Sequence, residues 1–142
     1  MKRLSRVLVI ALVVVVALVG YNITFPAGKS ATSNWTFVLT HPTLLLHVIV
    51  ATGILVMAVI ALIRSVRSRD RPWMALSVAG LAFVLAAFVS GEDYVMSLHK
   101  SALNYMSISW AGAVIAYGTR WYLGHRRERR EEAAPLPGRP SV

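Results

Sequence analysis

Apolar residues fall along this chain in four long runs separated by short polar stretches. The first runs from about Val7 to Phe25 and is built on VLVIALVVVVALVG. The second runs from Thr43 to Ile63, the third from Trp73 to Ser90 and the fourth from about Asn104 to Leu123. A helix that crosses the hydrocarbon of a bilayer needs about 20 apolar residues. Lipid offers no partner to an exposed peptide group, so runs of this length are expected as helices. None alternates with a period of two, which argues against a transmembrane barrel. No run contains an internal Pro. Pro42 and Pro72 stand just ahead of the second and third, where the helical N–H has no intrahelical partner to lose.

Small residues predict how such helices pack, because lipid is as apolar as Leu and association rests on close approach and polar contacts. In the third run Ala75, Ala79, Ala82, Ala86 and Ser90 recur on one helical face. His47, Ala51, Ile54, Ala58 and Ala61 do so in the second, and Tyr105, Ser109, Gly112 and Ala116 in the fourth. The first run is mostly Val and Leu and is expected to face lipid most. The expected fold is all-α: an integral membrane, antiparallel four-transmembrane-helix bundle over residues 1–123, followed by a tail over residues 124–142. In that tail HRRERREE can prolong the fourth helix, and PLPGRPSV is expected to be disordered.

Charge orients the bundle. The chain has 142 residues, 56% hydrophobic and 15% charged, with a formal net charge of +9 and a mean hydropathy of +0.60. Globular domains carry about 25% charged residues, so a soluble enzyme is not expected. With no Cys, neither is a disulfide scaffold. Thirteen of the fifteen Lys and Arg residues lie before the first run, between the second and third, or at and after the end of the fourth. Lys29 and Lys100 alone occupy the other two loops, near residues 26–42 and 91–103. The positive-inside rule places both termini in the cytoplasm of a bacterial plasma membrane. Trp73, Trp121 and Tyr122 then mark the inner boundary, and Trp35, Tyr94 and Tyr105 the outer one. The basic segments are expected on anionic headgroups rather than on nucleic acid. The N-terminus also has the shape of a signal peptide, with Val15 and Ala17 as a cleavage motif. The apolar run continues through Tyr21, Ile23 and Phe25, which favours a retained helix.

Reactive groups are sparse. His47 lies about one turn inside the second run on its small-residue face. An ionisable group inside a membrane raises a functional hypothesis, and a neutral imidazole can ligate haem iron or another metal, or carry a proton. The plainer expectation is a hydrogen bond to a neighbouring helix or to headgroup water. His41, six residues earlier, falls on another face. The stretch GEDYVMSLHKSALNYM brings Glu92, Asp93, Met96, His99 and Met106 into one region. His41, Met96 and His99 form a candidate outer-face copper or zinc set, without any established ligand spacing. GKS at residues 28–30 is not a phosphate-binding loop, since Ile23 stands where the leading Gly belongs. Asn22-Ile23-Thr24 and Asn34-Trp35-Thr36 match the glycosylation triplet.

The stretch THPTLLLHVIVATGILVMAVIALI, the Arg-rich loop after it and a third run ending in FVSGEDY resemble small four-helix integral membrane proteins of actinobacteria. More remotely the layout resembles the four-helix units of b-type cytochromes and haem A synthase. That likeness implies haem b held by a pair of histidines near helix ends, with His47 as one ligand. The third and fourth runs contain no His, so the second ligand falls to His99, His41 or Met106. The leading expectation is a structural or accessory membrane protein, working with a membrane partner or as a homo-oligomer, without catalysis of its own. The alternatives are a haem-binding electron carrier and an outer-face metal-binding protein.

Overall fold

The computed structural model describes residues 2–19, 25 and 30–133, and these form five helices. They are α1 (Lys2–Val19), α2 (Ala31–Thr40), α3 (Pro42–Ser68), α4 (Arg71–Ser97) and α5 (Lys100–Ala133). Among the described residues there is no strand, so the all-α expectation holds.

Local sequence sets the helix boundaries. Ser30 caps α2, its hydroxyl accepting the Ser33 N–H at 3.4 Å. Pro42 opens α3, and Pro72 lies in the first turn of α4 behind Asp70. Arg69 (φ 53°) ends α3 in the left-handed region, and Leu98 (φ 56°) ends α4 the same way. Each reversal is two residues long, which makes α3 antiparallel to α4 and α4 antiparallel to α5.

Four helices neighbour one another in a closed cycle: α1 against α3 and α5, and α4 against α3 and α5, with α2 laid on α3 and α4. The shared core holds Leu8, Leu12 and Val15 of α1, Ile54, Ala58 and Ala61 of α3, Val84 of α4, and Ala113 and Tyr117 of α5. Two glycines admit large rings at the α4–α5 crossing. A Cβ on Gly80 would lie 2.6 Å from the Tyr117 ring, and one on Gly112 2.6 Å from the Phe83 ring.

Three sequence expectations are corrected. The segment near 26–42 is not all loop, because α2 forms within it and buries Asn34 and Val38 one turn apart. The loop near 91–103 shrinks to Leu98 and His99, because α4 runs on to Ser97. The small-residue face of α4 is not its core face: Ala75, Ala82 and Ala86 are exposed, Ala79 and Ser90 half-buried, and Ser77, Gly80 and Val84 are buried instead. Ser77 stands two residues from Ala75, about 200° around the helix. Volume alone could not choose between the Ala row and the Gly80 row, and the Tyr117 ring settles it. Among the described residues two helices, α3 and α4, are both long and apolar enough to cross a membrane. Lys2, Arg3 and Arg6 lie inside α1, and Asn104, Ser107 and Ser109 dilute the apolar stretch of α5. The helical prolongation of the basic segment is present, α5 reaching Ala133. Asn22 and the Pro-rich end from residue 134 lie outside the described residues.

Candidate functional site

The sequence places four Ser and Arg side chains where the core should be apolar. Ser5, Ser65, Ser77 and Arg120 are each at most 1% exposed. Three of them form one layer near the arginine-rich end. Ser65 Oγ donates to Ala61 O at 2.8 Å, and Ser77 Oγ to Trp73 O at 2.7 Å, so each serine lies back on its own helix. The two hydroxyls are 2.8 Å apart, and Arg120 Nη1 donates to Ser77 Oγ at 2.6 Å. The guanidinium carbon also stands 5.3 Å from the centre of the Trp73 ring, within the range of a cation–π attraction. The charge-assisted bond from Arg120 ties α5 to α4, and α3 joins the layer through the Ser65–Ser77 contact, which becomes a hydrogen bond whenever one of the two hydroxyls turns from its own helix to the other; such polar contacts can hold helices together where lipid removes the hydrophobic drive.

A second tier pins α1. Trp110 Nε1 donates to Leu12 O at 2.8 Å, and His47 Nδ1 lies 3.2 Å from Val15 O. A carbonyl only accepts, so this contact requires the hydrogen on Nδ1. The neutral ring then keeps its lone pair on Nε2. Seven residues along α5 from Trp110 stands Tyr117, and seven back along α1 from Leu12 stands Ser5. Both are buried, and among the described residues Ser5 Oγ and Tyr117 Oη have no hydrogen-bond partner.

The other predicted ligands have neighbours of their own. Met106 Sδ lies 3.5 Å from the place a Cβ on Gly91 would take, against α4. His99 is exposed in the α4–α5 turn, with its N–H 3.3 Å from Ser97 Oγ. His41 sits at the joint of α2 and α3 with its ring edge-on to Phe37 at 5.3 Å, and Met96 is exposed. Among the described residues no group of three or more His, Cys, Asp or Glu side chains is placed to hold a metal ion. Of the predicted packing residues, Gly112 and Ala116 do lie against the core, whereas Tyr105 is 65% exposed.

Asn34 has a role that the triplet around it obscured. Its Nδ2 donates to Val95 O at 2.9 Å, and its side chain is buried. Val95 belongs to the last turn of α4, whose carbonyls have no partner in the helix. Asn34 thereby caps α4 from α2, and its amide is not presented for glycosylation. Phe25 closes the same end against Phe37 at 5.3 Å and Tyr94 at 5.9 Å.

The polar layer went unread, yet a signal for it exists. Continuing the α3 face by four residues from Ala61 reaches Ser65, and continuing the α5 face by four from Ala116 reaches Arg120. Arg120 is also one of the basic residues at the end of the fourth run, which hides its place on this face. The arrangement as a whole is a class recognisable by its parts: an all-helical chain with two helices able to cross a membrane and a polar layer inside. Compared with known proteins, the chain matches no family model, no curated protein and no solved structure.

Proposed function

We propose that this chain is a small multi-pass protein of the bacterial plasma membrane, in which α1, α3, α4 and α5 all cross lipid and both ends face the cytoplasm. Its role is structural or accessory, as a component of a larger membrane assembly without catalysis of its own. The observation that carries this reading is where the apolar surface lies. Only 17% of the most apolar stretch of α3, and 17% of that of α4, is buried within the chain. Ile49, Val89, Ile108 and Ile115 are all more than half exposed. Soluble monomers rarely expose contiguous apolar patches beyond a few hundred Å². The buried side chains, by contrast, include Arg120 and three serines, and the hydrogen bonds of Ser65, Ser77 and Arg120 run to their own helix or to the next one, as helix packing requires.

The chain has no cysteine, which makes single-cysteine labelling a direct test. A membrane-impermeant maleimide is expected to label Ser101→Cys in intact cells and Arg130→Cys only after permeabilisation. The reverse pattern overturns the orientation, and recovery of the chain in the soluble fraction without detergent overturns the membrane reading. The haem-carrier alternative retains one feature in its favour, the lone pair on His47 Nε2. It requires a Soret band in the purified protein that is lost in His47→Ala, and the accessory reading expects none.

A further inference from the structure

α5 outlasts its neighbours. Arg127 Nη1 meets Asp70 Oδ2 at 3.2 Å, which sets residue 127 level with the α3–α4 turn. Residues 128–133 therefore extend about 9 Å past that turn, at roughly 1.5 Å per residue. Arg127 marks the side of α5 that faces the turn. Tyr122, Arg126 and Arg129 cluster about 100° or more away from it around the helix axis, and His125 lies beside them. All four are exposed, as is Arg130.

Helical side chains lean toward the N-terminus of their helix, and for this end of α5 that direction is back toward the apolar part of the molecule. The contacts follow it. The Arg126 guanidinium carbon stands 5.3 Å over the Tyr122 ring, four residues back. Arg129 Nε donates to His125 Nε2 at 3.2 Å, again four residues back. Two guanidinium groups are thus folded down by one turn along the same outward face. Trp121 and Tyr122, the aromatic pair at its foot, are 42% and 56% exposed, as side chains at a headgroup boundary are.

We propose that this outward face of α5, formed by Tyr122, His125, Arg126 and Arg129, binds the phosphate of an anionic glycerophospholipid in the adjoining leaflet. The phosphodiester lies between the two guanidinium groups, which present planar paired donors suited to phosphate oxygens. The tyrosine ring holds Arg126 at headgroup height. This rests on the membrane reading above and adds to it a particular lipid class on a particular face, rather than a diffuse attraction to all the arginines at that end.

The test uses the full chain in nanodiscs of three parts phosphatidylcholine to one part phosphatidylglycerol, with the lipids that stay bound on gentle release counted by native mass spectrometry. The wild type is expected to retain phosphatidylglycerol at least fivefold over its bulk share, since one arginine near an anionic surface is worth about that factor. Arg126→Gln/Arg129→Gln is expected to return the ratio to bulk, with helicity unchanged by circular dichroism. Arg64→Gln/Arg67→Gln removes the same charge from the end of α3 and is expected to leave the enrichment in place. Equal loss in both double variants, or no enrichment in the wild type, overturns the α5 surface while leaving the membrane reading intact. Failure of the chain to enter the discs overturns both.

Discussion

Ser77 is where the polar layer meets: its hydroxyl accepts from Arg120, lies against Ser65 and donates to Trp73 O. Removing it takes an acceptor from a buried guanidinium, and such a loss costs about 1–3 kcal/mol. Ser77→Ala is therefore expected to lose about 2 kcal/mol of unfolding free energy in detergent. Tyr117 in the adjacent tier should respond with the opposite sign. Its hydroxyl is buried with no partner among the described residues, so Tyr117→Phe discards a desolvation cost and no bond. That variant is expected to match or exceed the wild type in thermal unfolding. A clear destabilisation by Tyr117→Phe would show that the phenol is bonded after all. His47→Phe separates position from polarity at the second tier: it keeps a ring but drops the bond to Val15 O, and should cost about 0.5–1.5 kcal/mol.

Between elements, the α4–α5 crossing depends on two missing side chains. Gly80→Ala would push a methyl to 2.6 Å from the Tyr117 ring, and overpacking of this kind costs about 1–3 kcal/mol. Gly53 is the internal control, since a Cβ there meets nothing within 4 Å. Gly53→Ala is expected to stabilise by up to about 1 kcal/mol through helix propensity alone. If both substitutions behave alike, the close approach at Gly80 is not what fixes the crossing. These positions also show what the sequence could tell. The α3 face through Ile54, Ala58 and Ala61 was legible because its small and apolar residues coincide with the buried ones. The α4 face was not, because small residues occupy two opposite sides and only the partner ring selects one. Helix α2 was hidden for a different reason: ATSNWTFVLT is short and polar, and docking through Asn34 and Val38 rather than intrinsic propensity gives it a place. The polar layer was written in the helical period but masked by the habit of reading a terminal arginine as topology alone.

At the scale of the whole molecule, the question left by the basic, apolar start of the chain is whether α1 stays with the rest. Cleavage after Ala17 would remove Leu8, Leu12 and Val15, which are at most 6% exposed and belong to the shared core. It would also strip Trp110 Nε1 and His47 Nδ1 of their carbonyl acceptors. Losing one large core side chain to a cavity costs about 2–5 kcal/mol, and here three vanish together with two hydrogen bonds, against a total stability of only about 5–15 kcal/mol for an ordinary domain. The other side of α1 is apolar too, with Val7, Ile10 and Val13 about half exposed. Peptide mapping of the purified protein should therefore recover residues 7–17 in the same molar amount as peptides from α3. Their absence, with a new amino terminus near residue 18, would mean that α3, α4 and α5 close without α1. The two ring nitrogens now bonded to its backbone would then need another partner.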